Sequence, residues 1–162
     1  MSNLDLYKKL WEQDNPAFVR VLRALPADQL DYKPHERSSK AGAIAWQIAE
    51  ELRALSDLID TGVVNWETRP RPGTLDEIVA AYEANAARHR DRLASTDDAR
   101  WSSEGRMLWE GQEVMKSTIG DMCFSFFLDA IHHRGQLSAY IRPMGGKVPS
   151  IYGPSADDSG GM

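Results

Sequence analysis

The sequence holds a single cysteine, Cys123. No disulfide can close within the chain, and a reducing compartment, the cytoplasm, is the expected setting. No apolar run approaches the roughly 20 residues that a membrane-spanning helix requires, so no membrane partner is expected. The opening MSNLDLYKKLWEQD is polar and acidic, unlike a secretory signal. Positive charge is scarce as well: 19 Lys and Arg against 24 Asp and Glu give a formal net charge of −5, which removes the electrostatic basis for nucleic-acid binding. Internal repeats, low-complexity segments and strong strand signals are also missing. These absences leave a globular chain whose expected partner is a small molecule.

At 162 residues and 42% hydrophobic composition, the chain can bury one core without a disulfide or a structural metal. Apolar residues recur at three- and four-residue steps in four stretches, the mark of amphipathic helices. The first predicted helix covers 3–25, with Tyr7, Trp11, Phe18 and Leu22 on one stripe, and Pro16 predicts a kink or break near Asn15. The second covers 41–61, with Gly62 as its stop. The third begins at Thr74, where TLDE reads as a capping box answered by Glu77, and fades near Ser95. The fourth spans 119–144. The long connection between the last two contains LWEGQEV, which suggests a small hairpin at Glu110-Gly111; a connection of that length has a job or crosses the bundle. The expected fold class is all-α, a four-helix bundle. It forms one domain over residues 1–155, with a flexible tail at 156–162.

Polar residues on the inner faces point to chemistry. On the fourth helix His133 projects into the apolar face, Asp129 lies one turn before it on the edge, and Gln136 and Tyr140 share that edge. His132 points away. On the second helix Glu51 falls inside the stripe of Ile44, Ile48, Leu52 and Leu55, with Gln47 one turn earlier. Asp14 sits on the apolar stripe of the first helix. An unpaired buried carboxylate is costly, and carboxylates with histidine on facing helices are how bundles build metal sites. The competing reading is structural: an inward histidine as a hydrogen-bonded core residue, and inward acids paired with Arg134 or Arg142. His35 and His89 read as surface residues, the five tryptophans as core and loop anchors, and Cys123 as a small buried hydrophobe.

The motif IHHRGQLSAYIRPMGGKVPSIYGPSAD, together with KAGAIAWQIAEEL and LDYKPHERS, resembles the DinB-like (YfiT-like) superfamily over nearly the whole chain, most specifically at the fourth helix. The resemblance implies an up-down-down-up four-helix bundle, often a homodimer. The segment 62–73 could span roughly 40 Å when extended, enough to join parallel second and third helices. The resemblance also implies a divalent metal held by three histidines and, in some members, thiol-dependent transferase or isomerase activity using bacillithiol or mycothiol. The three positions fall on Gln47, Asp129 and His133, so only one imidazole remains; Glu51 offers a fourth donor. Oxygen donors move the preference from zinc towards harder ions, within a range of nickel, zinc, manganese or iron. The expected activity is a metal-assisted transferase or hydrolase, with Asp129 and His133 at the reaction centre and Arg134 and Arg142 as candidates for an anionic substrate group. The alternative is a non-catalytic, stress-related scaffold that has lost the metal.

Overall fold

Ser2 opens the first helix, α1 (Asn3–Arg23), in a capping box: its hydroxyl accepts from the Asp5 N–H, and the Asp5 carboxylate accepts from the Ser2 N–H. The computed structural model describes residues 1–160. Pro16 does not break α1. It withdraws one N–H, the partner of the Glu12 carbonyl, while buried Trp11, Ala17 and Phe18 anchor the helix in the core on either side. α2 (Ala41–Thr61) stops where Gly62 turns left-handed, with φ of 80°, and returns its N–H to the Leu58 carbonyl. α3 (Leu75–Ser95) starts in the Thr74/Glu77 box. A one-turn helix, α4 (Asp98–Trp101), precedes α5 (Ile119–Ile141), which ends at Ile141 rather than Met144.

Cross-helix contacts set the directions. Asn85 donates to the Ala49 carbonyl, and further along Arg88 and Arg92 pair with Asp60, so α3 rises with α2. Arg23 meets Glu83 while Arg90 meets Glu12, so α1 and α3 are antiparallel. Tyr7 packs on Phe127 and Asp14 pairs with Arg134, so α1 and α5 are parallel. α5 runs against α2: Glu51 meets His133, and Leu58 meets Met122 over Gly105. The order is up-down-down-up.

The expectation of a purely helical fold is corrected by a small sheet. β1 (Val63–Trp66) follows α2 and pairs in parallel with β2 (Glu104–Trp109), which pairs antiparallel with β3 (Gln112–Thr118). The turn of the β2–β3 hairpin is Glu110-Gly111, both with positive φ. The hairpin expected at Glu110-Gly111 is present, whereas β1 escaped the pattern because it is only four residues long. Only Val64 and Gly105 of β1 and β2 reach the core fully.

The segment expected to be a flexible tail is threaded with hydrogen bonds as far as it is described. Arg142 and the Val148 N–H donate to Asp157, and the Ser150 N–H and Gly160 N–H donate to Asp158. Gly161 and Met162 lie outside the described residues. Among the described residues, no helix is long and apolar enough to cross a membrane.

Candidate metal centre

Glu51 and His133 face each other because each falls on the apolar stripe of an antiparallel helix pair. Glu51 is 2% exposed and the His133 side chain 14%. Glu51 Oε1 accepts from the Gln47 amide, one turn earlier, at 2.9 Å. It also lies 3.3 Å from His133 Nδ1, close enough for attraction but without the alignment of a hydrogen bond. Asp129 Oδ2 approaches the same Nδ1 at 3.6 Å from one turn before His133. Glu51 Oε2 and His133 Nδ1 are both buried without a hydrogen-bond partner. Groups of this kind are normally satisfied, and both of these atoms belong to residues of one cluster with Asp129.

That donor set fits a divalent cation. One atom each from Glu51, Asp129 and His133 lies within 4.8 Å of the others; ligands held at about 2.0–2.2 Å from an ion stand about 3.0–3.5 Å apart. Two carboxylates and one imidazole suit manganese or ferrous iron better than zinc. Gln47, placed at the position of the missing imidazole, turns its amide N–H to Glu51. Burial raises the Glu51 pKa, while the Glu51 carboxylate beside His133 raises the imidazole's. Metal binding at a histidine needs the neutral imidazole, so cation affinity here would rise with pH.

The other inward residues go elsewhere. Asp14 is committed to Arg134 at 2.6 Å, an ion pair with both partners buried. Arg134 is therefore not free for a substrate; it also lies over the Phe18 ring and donates to the Tyr152 hydroxyl. Arg142 holds Asp157. Gln136 pairs with outward His132, and Tyr140 packs on Tyr32. Asp129 is more open than its edge position suggests, with its side chain 52% exposed. His89 is a correction: it is fully buried, 3.2 Å from the Tyr7 hydroxyl and edge-on to Trp11.

Glu51 and Asp129 line a cavity of about 460 Å³ between α2, α5 and the sheet. Its walls include Trp46, Trp66, Trp109 and Phe126, with Arg69 and Arg71 at the edge. Reading the tryptophans as core and loop anchors holds for buried Trp11 and Trp101 and for Trp46 and Trp66, which pack against the core while lining the cavity; exposed Trp109 is the exception. The signal lay in the sheet register: Trp66 is the β1 partner of Trp109, and Met107 and Trp109 share one face of β2.

The architecture is a helix bundle with a group of carboxylate and imidazole donors that could hold a cation, beside an aromatic-walled cavity. The chain belongs to the DinB family, whose sequence model matches residues 1–160. It is 26% identical over 158 residues to the uncharacterised protein YrdA of Bacillus subtilis strain 168, covering 96% of this chain and 91% of that one. The fold is similar to a DinB-like protein of Bacillus cereus ATCC 10987, with a TM-score of 0.73 at 16% identity over 90% of this chain and 95% of that one. A crystallised mycothiol-dependent maleylpyruvate isomerase shares the fold at a TM-score of 0.57 and 13% identity, with 90% of this chain covering 62% of the isomerase.

Proposed function

We propose that the chain is an enzyme acting on a small molecule, a transferase, isomerase or hydrolase of the thiol-dependent kind, assisted by a divalent cation held by Glu51, Asp129 and His133. The buried, unpartnered Glu51 Oε2 and His133 Nδ1, clustered with Asp129 beside the cavity that Glu51 and Asp129 line, carry this reading. Such a cation, when bound, lowers the pKa of a water or thiol and polarises a carbonyl. The chain's own contribution is positional. Gln47 holds the Glu51 carboxylate in place. α2 and α5 keep the donors in a largely water-excluded wall, and Asp129, at the open side, can take a proton from an incoming group. Membership in the DinB family and the shared fold with a mycothiol-dependent isomerase support a thiol as the co-reactant.

Metal titration tests it. Protein dialysed against chelator and then titrated with Mn²⁺, followed by the spin resonance of the free ion, is expected to bind one equivalent. His133→Ala and Asp129→Ala should each weaken binding at least tenfold while keeping the helical circular-dichroism spectrum. Wild-type protein that takes up neither Mn²⁺, Fe²⁺, Ni²⁺ nor Zn²⁺ would overturn the reading in favour of a metal-free scaffold.

A further inference from the structure

The wall of the cavity says what kind of molecule fits beside the metal centre, an inference that rests on the proposed function only for the role of its floor. Trp46 comes from α2, Trp66 and Trp109 from adjacent parallel strands, and Phe126 from α5. Trp66 and Phe126 stack on each other at 6.1 Å and 29°, which fixes both rings in the wall. Trp46 spends its indole N–H on the Arg69 carbonyl. Trp109 remains 45% exposed. Flat apolar surface of this extent, left open around 460 Å³, matches a planar apolar ligand.

The edge of the cavity adds a charge requirement. Arg53, Arg69, Arg88 and Arg92 share three carboxylates, Glu50, Asp57 and Asp60. Arg69 has the loosest hold, 3.5 Å from Glu50. Arg71 and Lys40 share Asp31, with Arg71 at 3.7 Å and Lys40 at 3.1 Å. Each cluster therefore keeps one positive charge in excess, and in each the weakly held arginine is the one lining the cavity. Glu67, the acid on the same loop, accepts from the neutral Asn65 amide at 2.7 Å and keeps its charge, so the two arginines and this acid together leave one positive charge in excess at the cavity edge.

We infer that the cavity binds a small organic anion with a flat, aromatic body: its carboxylate on Arg69 and Arg71, its ring against Trp46, Trp66 and Trp109, and its far end toward Glu51 and Asp129. Guanidinium pairs with carboxylate in a fixed fork geometry, and indole faces accept planar rings.

The test uses full-length protein in chelator, so that it stands apart from cation binding, and follows the five tryptophan indole N–H signals by ¹H–¹⁵N spectroscopy. 2-Naphthoate is expected to shift the signals of Trp46, Trp66 and Trp109 saturably and to leave those of Trp11 and Trp101 in place. The neutral isostere 2-naphthalenemethanol should bind about tenfold more weakly, and acetate should produce no shift at the same concentration. Arg69→Gln and Arg71→Gln, each checked for a native circular-dichroism spectrum, should reduce naphthoate affinity to near that of the alcohol without changing the alcohol's. His133→Ala should leave naphthoate binding intact. Equal affinity for acid and alcohol, insensitivity to both arginine changes, or unmoved cavity indoles would each overturn the inference.

Discussion

Glu51 answers to two opposing demands. As a buried carboxylate whose second oxygen has no partner, it weighs on the fold; as a metal donor it needs that same oxygen free. Glu51→Gln separates the two. At pH 8 in chelator the amide relieves the burial of charge, and urea unfolding should show a gain of about 1 kcal/mol. In the same protein Mn²⁺ affinity should fall at least tenfold. A variant that lost stability in chelator would show that the carboxylate holds the fold together. This residue, with Gln47, Asp129 and His133, was legible from helical phase alone, because four-residue spacing on two stripes determines which side chains face one another. Gln47's service to Glu51 was not legible, since spacing does not say which polar atom an amide chooses. His89 was obscured by its charged neighbours in RHRDR, although Tyr82, Ala86 and Leu93 run their buried stripe straight through position 89.

At the scale of elements, the start of α5 depends on a missing side chain. A Cβ on Gly120 would stand 2.7 Å from Trp101 Cε2. That indole cannot yield, because it is buried against Tyr7 with ring centroids 5.0 Å apart. Gly120→Ala should cost about 1–3 kcal/mol in urea unfolding. Gly120→Ala combined with Trp101→Leu should cost clearly less than the two changes summed; strict additivity would mean that the two do not meet. The helices were readable because their caps and stripes are local: the Thr74 box and the Gly62 stop are written in a few residues. The parallel pairing of β1 with β2 joins Val63 to Arg106, a partnership no local window contains, and with it went the aromatic wall that the sheet supplies.

At the scale of the whole molecule, His89 makes stability depend on pH. Burial pushes its pKa down from 6.5 to about 3, so in the folded protein the imidazole stays neutral where the unfolded chain would protonate it. The stabilisation it gives is present above pH 6.5 and is lost as pH falls towards 3. Between pH 6 and 4 the wild type should lose up to about 1.4 kcal/mol per pH unit more than His89→Gln; coincident pH dependences would show that native His89 takes up its proton. The up-down-down-up order could be anticipated from the resemblance of the fourth helix, whereas the directions themselves rest on contacts far apart in sequence. One of these, the ion pair of Asp14 with Arg134, joins residues 120 positions apart. During synthesis the aspartate emerges early and has no buried counter-charge until almost the entire chain has left the ribosome. The first helix therefore gains the buried counter-charge of Asp14 only when α5 packs against it.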